Sequence, residues 1–192
     1  MNKIKFLPVL LISTFCLSGC ASKVSEEKFI EKAENTTQHR YKGATVKVNY
    51  DATSSTGVKQ TISGTLHYGW VLSSPDLYGP GYWVLRDSDR QNDQLQAAKT
   101  YADAMVGLHV LDAKEIYAYG SSFNADATVN YYAGGLVGPK FKITSVVKNK
   151  DTENTSRTTM KFEKYGLLTS LNINVTGNDK TKMNITVSYS RT

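Results

Sequence analysis

Cysteine is nearly absent from this chain: there are two in 192 residues, Cys16 and Cys20. That excludes a disulfide-rich scaffold and any zinc or iron–sulfur site built from thiolates. Histidine is as scarce, with only His39, His67 and His109, and none stands at the spacing of a local zinc site. Charged residues make up 21% and the mean hydropathy is −0.36, which argues against wholesale disorder and against a polytopic membrane protein. No Gly-x-Ser-x-Gly elbow is present. Ser25-x-x-Lys28 and Ser145-x-x-Lys148 match a serine–lysine dyad in letters only, without its companion signatures. Gly134-Gly135-Leu136-Val137-Gly138 lacks the β-to-helix setting of a dinucleotide fingerprint. Asp87, Asp89 and Asp93 lack the glycine and the twelfth-position glutamate of a calcium loop. The expectation is a chain with no catalytic residues, no metal and no cofactor. Its length fits one domain.

What is present begins at the N-terminus. Lys3 and Lys5 form a basic start, and residues 6–17 form an apolar stretch too short to span a bilayer comfortably. This is the pattern of a secretory signal peptide. It ends in Leu17-Ser18-Gly19-Cys20, which resembles the lipobox of bacterial lipoproteins. The resemblance implies diacylglyceryl transfer to the Cys20 thiol and cleavage just before it. Residues 1–19 then form the signal peptide, 20–24 a lipidated tether and 25–192 the folded domain. The implied location is the extracytoplasmic face of a cell membrane, with Cys20 the link to the bilayer. Ala21 leans towards the outer membrane where the cell has one. Cys16 leaves with the peptide, so no free thiol remains. Losing Lys3 and Lys5 takes the formal net charge from +6 to +4. That balance is compatible with anionic lipid or wall polymers. Nucleic acid is not an expected partner, because the compartment is wrong and no basic run is dense.

Beyond the tether, Ser25 followed by Glu26 and Glu27 reads as a helix start, with Phe29, Ile30 and Ala33 on an apolar face. Residues 44–52 and 58–68 alternate apolar and polar around Ser54-Ser55-Thr56-Gly57, which predicts a hairpin. Gly64 within the second strand predicts a bulge or bend. Residues 69–83 hold two of the four prolines and both tryptophans, so no long element is expected there. Leu95, Ala98, Ala102 and Met105 recur at helical spacing, which predicts a helix over about 89–106 stopped by Gly107. Residues 112–119 fit strand and helix equally. Strands follow near 125–132 and 141–147, then over 158–163, 167–175 and 183–189, as an antiparallel meander.

The predicted fold is α+β, mainly β. A curved antiparallel sheet or half-barrel carries the N-terminal helix and the 89–106 helix on its concave face. This order resembles lipoproteins and carriers with the LolA/LppX-type half-barrel. That resemblance implies acyl chains held between sheet and helices. Candidate ligand contacts are Trp70, Tyr78, Tyr82 and Trp83 from the aromatic segment, and Leu95, Ala98, Ala102 and Met105 from the helix face. The leading expectation is a non-enzymatic, lipid-anchored surface protein binding a lipophilic or amphiphilic ligand. A glycan-binding or adhesion module using 70–83, and a structural or interaction lipoprotein with a solid core, are the alternatives.

Overall fold

A computed structural model of the chain describes residues 21–36, 43–71, 74–78, 82–83, 93–120, 125–135 and 140–191. In chain order the described elements are β1 (Ser22–Val24), α1 (Glu26–Glu34), β2 (Gly43–Thr53), β3 (Lys59–Val71), β4 (Ser74–Tyr78) and β5 (Tyr82–Trp83). They continue with α2 (Asp93–Met105), α3 (Val110–Gly120), β6 (Ala125–Ala133), β7 (Phe141–Asn149), β8 (Thr155–Phe162), β9 (Leu168–Thr176) and β10 (Lys182–Arg191). The strands build one open, curved antiparallel sheet in the order β1-β6-β7-β8-β9-β10-β2-β3-β4, with β5 beside β3. The C-terminal strands form the predicted meander. The sheet continues because β10 also pairs with β2, from Lys182↔Thr53 to Arg191↔Ala44.

Alternation puts one set of side chains on the core face of the long strands, with a register shift at Lys161/Phe162 where β8 meets β9. Matched positions across the sheet include Ala133, Phe141 and Phe162, then Tyr131, Ile143, Met160 and Leu171. The same layer continues through Val187, Val48 and Val46 to Leu66. Phe162, Ile143, Val187, Val46, Val48 and Leu66 are all fully buried. Helix α1 lies over β6 and beside α3, α3 reaches β7, and α2 crosses β2 and β3. Phe29 of α1 is fully buried, with its ring 4.9 Å from that of Tyr131 and edge-on to Phe141 at 5.8 Å. The hydroxyl oxygen of Ser25 accepts from the Lys28 backbone N–H and caps α1.

Several expectations change on contact with the structure. Residues 22–24 are not a free tether: they pair antiparallel with β6, from Ser22↔Ala133 to Val24↔Tyr131. Three residues carry too little pattern to announce a strand, and the pairing depends on a partner a hundred residues away. Gly64 makes no bulge, because the β2–β3 ladder runs in register through Val48↔Gly64. The irregularity in β3 falls later, between Trp70 and Val71. The ambiguous 112–119 segment is helical within α3. The described part of the mid-chain helix starts at Asp93. Residues 89–92 lie outside the described residues. Gly107 has φ +73°, the left-handed conformation that ends the helix.

One local interlock fixes the α2–α3 corner to the sheet. His109 bridges Leu167. The Val110 N–H donates to Gly166 O at 2.8 Å, and the Leu168 N–H to Leu108 O at 3.0 Å. The His109 ring is buried, and its Nε2 lies 3.0 Å from the Thr36 hydroxyl at the end of α1. Its Nδ1 accepts from the Leu111 N–H at 3.4 Å. Gly166, at φ +81°, passes so close that a Cβ there would stand 2.4 Å from Nε2. Burial holds the imidazole below its ordinary value of 6.5, while Asp112 and a backbone hydrogen bond at Tyr165 oppose the shift. The unfolded chain therefore takes up a proton at higher pH than the folded one. The linked stability is present above about pH 6.5 and is lost as pH falls below it. Thermal unfolding should shift to lower temperature between about pH 7.5 and pH 5. The His109→Gln variant should show a flatter pH dependence over that interval.

Candidate functional site

Three places bear on function: the entry of the chain into the sheet, the aromatic edge, and the core face beneath the helices. The lipobox residues Leu17, Ser18, Gly19 and Cys20 lie outside the described residues. The described chain meets the sheet at once, with β1 two residues after Cys20. Just beyond it, Glu26 of α1 is 3.0 Å from the ammonium of Lys114 in α3, and this hydrogen bond raises the lysine pKa. The start of the domain is thus held by both a ladder and an ion pair.

At the opposite sheet edge the described parts of the aromatic segment, 69–71, 74–78 and 82–83, are strand. Trp70 of β3 is registered with Tyr78 of β4, while Leu66 and His67 face Trp83 and Tyr82 of β5. Pro75 lies in β4, the last strand of that edge, where no further ladder needs its missing N–H. The four aromatics therefore gather on neighbouring strands by backbone register. Their side chains lie outside the described part of the structure.

On the helix, Ala102 is fully buried and Met105 half-buried, both in the cluster that includes Val46 and Leu66. The side chains of Leu95 and Ala98 lie outside the described part. Ala102 and Met105 thus pack as core under α2. Beside them sits a polar group that the apolar spacing did not reveal. The Tyr68 hydroxyl donates to Asp103 Oδ1 at 2.7 Å, and Asp103 also pairs with Lys99 one helical turn earlier. Burial, then the bond to Asp103, pushes the Tyr68 hydroxyl far above its usual range. Tyr189 is buried and raised by desolvation and by the Asp103 charge. Its hydroxyl has no hydrogen-bond partner among the described residues.

Away from the helices the core face is less covered. Tyr50, Ile62, Val129, Ile173 and Met183 are only partly buried, although each continues an apolar row. A groove of about 440 Å³ opens there, between Tyr50, Ala52, Val58, Val175 and Met183. Val58, beside the β2–β3 turn, is 68% exposed. Sequence reasoning took Val58 for a strand position and missed the groove. The only signal was an apolar residue against a Ser-Ser-Thr-Gly turn.

Among the described residues no group of His, Cys, Asp or Glu could hold a metal ion, and no helix is long and apolar enough to cross a membrane. The two buried tyrosines should separate by mutation. Tyr68→Phe should cost about 1–2 kcal/mol, because it strips a hydrogen bond from a carboxylate. Tyr189→Phe should stay within about 0.5 kcal/mol of the parent or gain stability, because it removes an unpaired buried hydroxyl. Denaturant unfolding of both variants measures the contrast. No family model matches the chain, and among curated proteins none matches it.

Proposed function

We propose that this chain is a lipid-anchored envelope lipoprotein without catalytic activity, holding a lipophilic or amphiphilic ligand on the helix-bearing face of its sheet. One observation carries the anchoring: a basic start, a short apolar stretch and Leu17-Ser18-Gly19-Cys20 fall in the order of a lipoprotein signal. The position of β1 supports it, since cleavage before Cys20 would leave the sheet intact. Two acyl chains on one thiol anchor far more firmly than one. The half-buried apolar rows and the groove near Met183 support the ligand, because they offer apolar surface bordered by Thr and Lys side chains. The half-barrel resemblance belongs to the same reading.

A second reading, a glycan-binding module, is favoured by the register that brings Trp70, Tyr78, Tyr82 and Trp83 onto neighbouring strands.

The test is metabolic. In bacteria fed radiolabelled palmitate, the chain should take up label, lose residues 1–19 and lose both behaviours in the Cys20→Ser variant. An unlabelled chain that keeps its first nineteen residues contradicts the proposal. Native mass spectrometry of the Cys20→Ser chain should retain a bound amphiphile. Glycan-array binding lost in Trp70→Ala or Trp83→Ala would favour the second reading instead.

A further inference from the structure

The outer face of the sheet has a charge pattern that the linear sequence hides. Register places Lys23 beside Tyr132, Tyr132 beside Lys142, and Lys142 beside Lys161. The same row runs on through two serines to Lys47 of β2. At about 4.8 Å per strand it is about 30 Å long. None of these four lysines is in an ion pair among the described residues, and Lys142 lies 3.8 Å over the Tyr132 ring. Further rows on this face add Arg157, Lys148, Lys182 and Lys59, and among the described strand residues the acids there are Asp51 and Asp126. Between the charges stand Thr, Asn and Ser side chains. Among them, Asn172 Nδ2 donates to Asn184 Oδ1 at 3.0 Å and to the Thr186 hydroxyl at 2.9 Å.

The helix side is different. Helix α1 carries Glu26, Glu27, Glu31 and Glu34 against Lys28 and Lys32. Lys99 and Lys114 there are each paired with a carboxylate. Among the described residues the outer sheet face is therefore basic and α1 acidic. Near a negatively charged plane, such a body turns its sheet to the charge.

We infer that the outer sheet face is a docking surface for the anionic phospholipid headgroups of the membrane, and that it lays the domain flat against the bilayer. Headgroup phosphates supply a plane of negative charge that a row of about 30 Å can meet along its whole length. The start of the row favours the membrane over a free polymer. Lys23 lies in β1, and Cys20 is two residues, at most about 7 Å of chain, before that strand. This anchoring clause rests on the lipoprotein reading; the charge pattern does not. A short tether and a paired first strand leave the body no slack, so the basic row begins where the acyl chains enter.

Amine labelling followed by mass mapping tests the inference on the full chain. The protein is mixed with vesicles of phosphatidylcholine alone or containing phosphatidylglycerol. On phosphatidylglycerol vesicles Lys47, Lys142 and Lys161 should label several-fold more slowly, while Lys99 and Lys114 keep their rates. The protection should vanish at high salt, and flotation should survive where the acyl chains hold. In a Lys47→Glu, Lys142→Glu, Lys161→Glu variant the neighbouring Lys148 should lose its protection too. The matching Gln variant should weaken it with an unchanged far-ultraviolet spectrum. Equal labelling of both faces on phosphatidylglycerol overturns the inference, as does equal protection on phosphatidylcholine. Soluble poly(glycerol phosphate) protecting the row as well as vesicles do would assign it to a polymer and overturn the membrane as occupant. If the chain carries no lipid, the anchor reading fails alone, and salt-sensitive flotation with phosphatidylglycerol vesicles still decides the docking.

Discussion

The ladder between β10 and β2 holds the architecture together. It joins the last strand of the chain to the first long one over ten residue pairs, from Lys182↔Thr53 to Arg191↔Ala44. The Ser190 hydroxyl donates across it to the Thr45 carbonyl at 3.1 Å, over 145 residues of sequence. Without that seam the protein would hold a meander and a hairpin, each with a bare edge. With it, one apolar layer runs from Ala133 to Leu66, and one polar face runs behind it. A slip of one residue would exchange the two faces along the whole seam. The contact is also highly non-local, so it is costly to form early and decisive once formed.

The helices follow from the sheet. An apolar face that wide must be covered, and α1, α2 and α3 cover it at two places, over β6 and β7 and over β2 and β3. The corner between α2 and α3 is tied to the β8–β9 turn through His109, Leu167 and Gly166. Coverage stops short of the rows through Tyr50, Ile173 and Met183, and there the groove opens. On the other face the described side chains are mostly polar or charged, with Tyr132 and the partly exposed Val146 among them.

Much of this was legible from periodicity. Ser25 with Glu26 and Glu27, the alternation of Val46, Val48 and Tyr50, and the meander after residue 140 each carry local pattern, and local pattern is what a sequence displays. The spacing of Leu95, Ala98, Ala102 and Met105 likewise marked the helix. Features that depend on distant partners were not legible. Ser22–Val24 reads as tether until β6 is beside it. Residues 112–119 mix helical and extended preferences, and packing on β7 decides between them. Gly64 suggests a bulge, yet an unbroken partner strand keeps it in register. The lysine row is the extreme case: Lys23, Lys142, Lys161 and Lys47 are scattered in sequence and aligned only by strand order. The candidate site was less legible than the fold, because apolar spacing marks burial without telling core from pocket.

The two faces of the sheet divide the chemistry. The core face folds the protein and carries the apolar rows, and the outer face carries positive charge. Both depend on β10 lying against β2 in one register. Cysteine cross-linking with a short reagent and mass mapping measures that register. The Asn49→Cys, Thr186→Cys pair stands directly opposed on the outer face. The Asn49→Cys, Val187→Cys pair differs by one residue and points to opposite faces. The account predicts a rapid cross-link in the first pair and none in the second; a cross-link in the second pair, or in neither, would contradict it.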